Sequence, residues 1–146
     1  MDPKERGDRL DEAVALLEAF WSGEPVDHDG AAFRADGVTV LPRPVQQPRI
    51  PMWFAARGAS AKRPVRRAAR FDGLVPIELE DGDHLSRILD IVVDERGSLD
   101  GFDTMVGTNL DPVDAERRGA TWSYQSFATS ATADDVFAVI RQGRWA

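Results

Sequence analysis

The segment Ile50–Gly73 constrains the fold more than any other part of this chain. An apolar run over Ile50–Ala56 ends at Arg57-Gly58, a basic stretch without acidic residues follows, and a second apolar run covers Leu74–Ile77. This order predicts strand, loop, helix and strand, a βαβ unit with almost no spare residues. Parallel sheets bind ligands at the carboxyl ends of their strands, so we expect chemistry in the loop Ala56–Ser60.

Strand and helix patterns alternate through the rest of the chain. Strands are predicted over Ile50–Ala56, Leu74–Ile77, Phe102–Thr108 and Ala120–Phe127, and helices from Ser60, from Asp81–Asp83 to about Glu95, from Asp111-Pro112 to about Arg118, and over Ala133–Gln142. Such alternation predicts an α/β fold with parallel strands and crossover helices. Four strand–helix pairs correspond to half of an eight-stranded barrel or to one small open sheet.

The first third of the chain does not follow this alternating pattern of strands and helices. Arg6–Trp21 carries apolar residues at the 3.6-residue period and predicts an amphipathic helix that must dock on other parts of the protein. Residues 24–48 predict a small β excursion, with a strand near Val26 and strands Ala32–Arg34 and Val38–Leu41 around an Asp36-Gly37 turn. Four prolines then stiffen the lead-in to the next strand.

Composition narrows the class of protein. A length of 146 residues predicts a single domain, and 42% hydrophobic with 29% charged residues is typical of a globular chain. The charged N-terminus has no apolar region of the kind found in signal peptides, so no secretory signal is expected, and no apolar run approaches a membrane span of roughly 18 residues. The chain has no cysteine, and neither His28 nor His84 has the spacing of a metal ligand. We therefore expect a cytoplasmic protein without a metal site or a membrane partner.

Charge is distributed unevenly along the sequence. The net charge of −7 argues against a nucleic-acid partner. Residues 57–70 nevertheless hold six cations and no acid, whereas Glu78–Asp114 holds eleven acids against two arginines. The two blocks could face each other, or one could meet a charged ligand.

The strongest candidate site is the loop that contains Arg57 and Gly58. Its backbone N–H groups, at the start of a helix, could bind an anion with help from Arg57 and Lys62. The alternative is an ordinary turn in which Ser60 caps the helix. His28 and His84 lack an identifiable catalytic partner, so no catalytic residue is predicted.

Aromatic residues mark the last predicted strand. Trp122 and Tyr124 alternate with polar residues and therefore point to one face of that strand. They could line a pocket, or they could pack into a core.

Several short motifs occur in the order found in bacterial-luciferase-like monooxygenases. They are Phe20-Trp21-Ser22-Gly23, Asp29-Gly30 with Phe33, Pro42-Pro44-Gln47-Pro48, Met52–Gly58, Ala68-Ala69 with Asp72-Gly73, and Gly119-Ala120-Thr121-Trp122. The chain resembles the carboxyl-terminal half of that family from about Arg6 to Gly143. It departs from the family pattern at Ala55-Ala56-Arg57-Gly58, where a Gly-Gly pair is common.

The resemblance implies a partial TIM-barrel fold, a half-barrel of parallel strands with crossover helices and the β excursion near residues 24–48. It implies a flavin- or F420-dependent oxidoreductase or monooxygenase that takes FMN or F420 and a small-molecule substrate. It places cofactor contacts at Ala56, Arg57, Gly58 and Ser60. Because only the second half is present, we expect the chain to be inactive alone.

Two other functions stay open. The first is a non-catalytic truncated or split chain that associates with a partner half or with itself, because half a barrel leaves open sheet edges. The second is a module that binds a phosphate ligand through its basic loop.

Overall fold

A computed structural model of the chain describes residues 1–58 and 62–142. The chain divides into two compact units, Met1–Pro51 and Met52–Ala146, and each is described by itself. The expectation of one domain over residues 1–146 stays a prediction. Within the described ranges, no helix combines the length and the apolar character needed to cross a bilayer.

The first unit contains one helix and a two-stranded hairpin: α1 (Pro3–Trp21), β1 (Val26–Asp29) and β2 (Arg34–Val38). Helix α1 starts three residues before the predicted Arg6. The Asp2 side chain causes this early start, since it accepts hydrogen bonds from the backbone N–H groups of Lys4 at 3.1 Å and Glu5 at 3.3 Å. Of the predicted apolar stripe of α1, Val14 is buried, whereas Leu10 and Leu17 are 41% and 39% exposed. The expected docking of this stripe is therefore only partial.

The predicted turn at Asp36-Gly37, between strands Ala32–Arg34 and Val38–Leu41, is wrong because β2 runs through it. The hairpin turn lies at Gly30, whose N–H donates at 3.0 Å to a carbonyl three residues later. The β1–β2 register shifts opposite Asp36-Gly37. There, Gly37 has a φ of +59° and its N–H donates to the Asp27 carboxylate at 2.7 Å. The Asp-Gly pair thus forms a bulge inside a strand, where glycine accepts the left-handed conformation.

The described residues of the second unit form four strands and four helices. They are β3 (Trp53–Arg57), α2 (Lys62–Ala69), β4 (Gly73–Ile77), α3 (Gly82–Arg96), β5 (Asp103–Gly107), α4 (Pro112–Arg117), β6 (Trp122–Tyr124) and α5 (Ala133–Gln142). The strands form one sheet in the order β3-β4-β5-β6, and every neighbouring pair is parallel. The predicted parallel sheet with crossover helices is confirmed. The described strands do not close into a barrel.

Most element bounds agree with the sequence to within a few residues, and three strands, β3, β5 and β6, are shorter than predicted. Strand β3 begins at Trp53 rather than Ile50, because Pro51 has no N–H for the sheet. Strand β6 covers only part of the predicted Ala120–Phe127. Helix α4 begins as expected, with the Asp111 carboxylate accepting the Asp114 N–H at 2.8 Å.

The sheet has two different faces because side chains alternate along each strand. One face packs against helices, and its core includes Ala56, Leu74, Val106, Leu85 and Val92. The opposite face, called here the inner face, lies outside this core, and its residues are half-buried or exposed apart from Gly73, which is buried. Its residues are Trp53, Ala55, Arg57, Gly73, Val75, Ile77, Asp103, Met105, Gly107, Trp122 and Tyr124.

Candidate functional site

The carboxyl ends of β3–β6 form the candidate site, and each end carries a polar side chain. These residues, called here the carboxyl rim, are Arg57, Glu78, Asn109 and Tyr124. Parallel strands bring their carboxyl ends to one edge of a sheet, which explains why residues 67 positions apart in sequence share this edge. The rim combines a cation, a carboxylate, an amide and a phenol.

Arg57 is the cation of the rim and the last residue of β3. Its guanidinium Nη1 lies 2.9 Å from Glu78 Oε1, and the two side chains are 70% and 57% exposed. Glu78 follows β4 directly and has a φ of +64°, a conformation that non-glycine residues adopt rarely. An ion pair this exposed is weak, so it leaves the guanidinium available to a stronger anion.

Gly58 supplies open backbone beside this guanidinium. Its φ is +80°, and a Cβ built there would meet no atom within 4 Å among the described residues other than its chain neighbours. Its N–H donates to the Ile77 carbonyl at 3.4 Å, which fixes the loop to the end of β4. A ligand could therefore approach the chain closely at this point.

The other predicted cofactor residues differ in what they can offer. The Ala56 side chain is 4% exposed and belongs to the core, so only its backbone remains for a ligand. Ser60 lies outside the described residues. Cofactor contact therefore stays a prediction for all four residues, Ala56, Arg57, Gly58 and Ser60.

Asn109 and Tyr124 complete the rim on β5 and β6. Asn109 Nδ2 donates to the Leu79 carbonyl at 2.9 Å and so joins the loops that follow β4 and β5. A Cβ at Gly107 would lie 3.1 Å from Asn109 Oδ1 and 3.2 Å from the Tyr124 hydroxyl. Glycine therefore leaves room for the amide and the phenol to approach one another.

The sequence predicts a role for Arg57 at the site but indicates none for Glu78 and Asn109. The signal that could have found them is position alone, since each follows a predicted strand. Tyr124 was predicted either to line a pocket or to enter a core, and it is 39% exposed on the inner face. Its ring therefore does not belong to the core between sheet and helices.

Neither histidine belongs to the rim. His84 is 1% exposed in the first turn of α3, where its Nδ1 accepts the Glu80 N–H at 3.3 Å. His28, in the first unit, lies 2.9 Å through Nε2 from Glu12 Oε1. The hydrogen bonds of both histidines therefore join parts of the fold. Among the described residues, no group of His, Asp and Glu could hold a metal ion.

The Glu12 carboxylate of the first unit takes part in several hydrogen bonds. Besides His28, it accepts the N–H of Ala32 at 3.0 Å and the N–H of Phe33 at 2.9 Å. The hydrogen bond with His28, followed by these backbone bonds, lowers the pKa of the Glu12 carboxyl against the opposing effect of burial. These hydrogen bonds join α1 to the β1–β2 hairpin.

A groove of about 690 Å³ lies in the helix layer beside β6. It is lined by α4 and by β6, with Val106, Ala115 and Ala120 among its apolar residues. It is distinct from the carboxyl rim, whose residues do not line it.

Comparison with known proteins gives consistent results. The sequence profile described as luciferase-like monooxygenase matches residues 1–133. F420-dependent glucose-6-phosphate dehydrogenase of Beutenbergia cavernae is 40% identical over 74 residues, which cover 51% of this chain and 21% of that protein. The enzyme of the same name from Mycobacterium tuberculosis is 32% identical over 108 residues, which cover 70% of this chain and 31% of its own length.

A relative with a different printed activity also matches. The oxygenase component of flavin-dependent trigonelline monooxygenase from Acinetobacter baylyi is 37% identical over 57 residues, covering 39% of this chain and 16% of that protein. In these comparisons the chain spans between about a sixth and a third of the length of its curated relatives.

Proposed function

Because the chain belongs to the luciferase-like monooxygenase family, we propose that it is the carboxyl-terminal portion of a flavin- or F420-dependent oxidoreductase. In this proposal the carboxyl rim contacts an anionic part of the cofactor. The observation that supports it most is the exposed Arg57 guanidinium beside the open backbone of Gly58. Relatives whose names specify F420 and flavin agree with a cofactor of this type.

The residues of the rim fit such a cofactor chemically. FMN and F420 both carry phosphate, and a guanidinium is a strong hydrogen-bonding partner for phosphate. Asn109 and Tyr124 add neutral hydrogen-bonding groups of the kind that fix ligand orientation. When bound, a cofactor of this class supplies redox chemistry at its ring, while the protein supplies binding and orientation.

The choice between FMN and F420 is decided by a binding experiment. The purified chain is titrated with each cofactor in calorimetry, and the Arg57→Met variant is compared with Arg66→Met, which removes an exposed arginine of α2. We expect one cofactor to bind and Arg57→Met alone to weaken binding. Absence of binding by both cofactors would contradict the proposal, and binding of inorganic phosphate alone would favour a phosphate-binding module.

A second function is favoured by the uncovered inner face. A chain that associates with a partner half or with a second copy, without catalysis of its own, would bury this face and the unpaired strand edges. It is compatible with the expectation that the chain is inactive alone. The small-molecule substrate, the cytoplasmic location and the lack of a nucleic-acid partner stay predictions.

A further inference from the structure

We propose that a second copy of the chain completes the sheet of the second unit. In the assembly, β6 of each copy pairs in parallel with β3 of the other copy, so that two four-stranded sheets close into an eight-stranded barrel around a two-fold axis. This inference deepens the second function named above by committing to one partner and one geometry. It does not depend on cofactor binding.

The first support is the pair of open strand edges. At β3 the Gly58 N–H points to β4, since it donates to the Ile77 carbonyl at 3.4 Å. At β6 the Thr121 N–H points to β5 and donates to the Thr104 carbonyl at 2.9 Å. Successive N–H groups of a strand point to opposite sides.

It follows that the N–H groups of Ala55, Arg57, Trp122 and Tyr124 point away from the sheet. Neither of these outer edges pairs with another strand in the described part of the chain. Such edges are templates for pairing with another strand. All four strands run parallel, so a two-fold axis along the strand direction keeps that direction in the second copy. Strand β3 of one copy then lies beside β6 of the other as a parallel pair.

The second support is the inner face. Trp122 and Tyr124 are 56% and 39% exposed there, and Val75, Ile77 and Met105 are half-buried. A solvent-facing cluster of this kind is unusual for a monomer. Eight strands give a barrel whose interior is filled by its own side chains, so two copies would bury both inner faces together.

The third support is α5, which has no buried residue. Its apolar residues Phe137 and Ile140 are 51% and 63% exposed, although a groove of about 690 Å³ lies beside the preceding strand β6. A helix that follows a parallel strand packs over the junction between that strand and the next one. In the proposed assembly the next strand is β3 of the second copy.

Charge complementarity is what favours a second copy as the occupant. Packed over this junction, α5 lies beside α2 of the other copy, and both helices start at the carboxyl end of the sheet. The first turn of α5 carries Asp134 and Asp135, whereas α2 starts with Lys62 and Arg63 and contains no acid. Opposite charges would therefore meet near the carboxyl end of the sheet, at each of the two α5–α2 junctions of the dimer.

Sedimentation equilibrium of the full chain tests the proposal. We expect a closed dimer of about twice 16.1 kDa, with no larger species. A monomer at all concentrations up to the solubility limit would overturn the proposal, and so would an open series of larger assemblies. FMN and F420 titration is a separate measurement, so failure of the cofactor proposal and failure of this one are distinguishable.

An edge variant tests the strand pairing. Ala55→Pro removes one outward N–H from β3 and keeps the bonds between β3 and β4, so we expect it to remain folded by circular dichroism and to be monomeric. Ala55→Ser keeps the N–H and should dimerise like the wild type. A folded Ala55→Pro variant that dimerises with unchanged affinity would show that β3 is not the interface.

A charge exchange tests whether the partner is a second copy. We expect Asp134→Lys and Lys62→Glu each to raise the dimer dissociation constant about fivefold, a size typical of rim charges. An equimolar mixture of the two variants should form a heterodimer of wild-type affinity, because both of its junctions then carry opposite charges. A mixture no tighter than the single variants would contradict the contact between α5 and α2.

Discussion

The indole rings of Trp53 and Trp122 lie 6.0 Å apart between centroids and are inclined by 58°. They belong to the two outer strands, β3 and β6, with β4 and β5 between them. Neighbouring strands are spaced by about 4.8 Å, so the two backbones of a flat sheet would be roughly 14 Å apart. The rings meet because both side chains lean inward over the inner face. Trp122 is held there by Nε1, which donates to Asp103 Oδ1 at 3.1 Å.

Gly73 makes room for this aromatic contact, so we predict that Gly73→Ala destabilises the second unit. A Cβ at this position would lie 2.7 Å from Trp53 Cδ1 and 2.8 Å from the Asp103 carbonyl oxygen. Since that oxygen belongs to the backbone, the sheet itself must shift. We expect a loss of about 1–3 kcal/mol of unfolding free energy in urea denaturation.

Gly101→Ala is the control for this substitution. A Cβ there would meet no atom within 4 Å in the described part of the chain beyond its two neighbours, so only the strain of its φ of +65° is added. We expect Gly101→Ala to cost less than Gly73→Ala. Equal stability of Gly73→Ala and the wild type would show that Trp53 does not lie over β4 in solution.

Glu12 holds the first unit together, so we predict that Glu12→Gln lowers its melting temperature at neutral pH. Glutamine cannot accept from His28 and the two backbone N–H groups with a full negative charge. The folded pKa of Glu12 is lowered, so its contribution is present above the unfolded pKa of about 4.3 and disappears as pH falls through the lower folded value.

The pH dependence separates this charge effect from a simple packing defect. Thermal melts followed by circular dichroism at pH 7 should show a clear difference between Glu12→Gln and the wild type. The difference should shrink as the buffer becomes more acidic than pH of about 4. Glu24→Gln, at an exposed residue after α1, serves as control and should melt like the wild type at both pH values. A difference independent of pH would count against the charge.

Arg118 joins α3 to α4, and we predict that Arg118→Met destabilises the second unit. Its guanidinium donates to Asp114 at 2.7 Å, and to Asp83 and Ser86 at 2.9 Å each. Hydrogen bonds to Asp114 and then Asp83 raise the pKa of Arg118 further above its ordinary value, so the effect should not vary between pH 6 and 9.

The neighbouring residue provides a matched control for Arg118. Arg117 is 71% exposed and lies 3.9 Å from the nearest Asp114 oxygen, so Arg117→Met should leave the melting temperature almost unchanged. Differential scanning calorimetry of both variants makes the comparison. Equal melting temperatures for the two variants would show that the Arg118 network contributes nothing measurable.

Local sequence signals predicted most of the fold. The Asp111-Pro112 start of α4 and the bounds of α5 are confirmed, because capping and periodicity are encoded within a few residues. The resemblance to luciferase-like monooxygenases is confirmed as well. By contrast, Asp36-Gly37 predicts a turn and a bulge equally well, and only pairing with β1 decides between them.

The rim was harder to predict because it depends on register between strands. Arg57 is level with Ile77, and this pairing brings its side chain to Glu78, the next residue. Likewise, Gly107 is level with Tyr124 in the β5–β6 register. Nothing local in the sequence specifies these partners, since a shift of one residue would turn Arg57 to the opposite face.

The last prediction concerns the ion pair of the rim. If Glu78 competes with an anionic ligand for Arg57, Glu78→Gln should strengthen phosphate binding, because the guanidinium loses a rival anion 2.9 Å away. We expect a gain of about threefold to fivefold for FMN or inorganic phosphate, comparable to the small energy of an exposed ion pair. Arg57→Met should abolish this gain in the double variant.

Calorimetric titration measures all three variants, and Glu80→Gln, which removes an acid of the same loop, is the control. Unchanged affinity in Glu78→Gln, together with binding that still depends on Arg57, would show that the ion pair does not regulate the site.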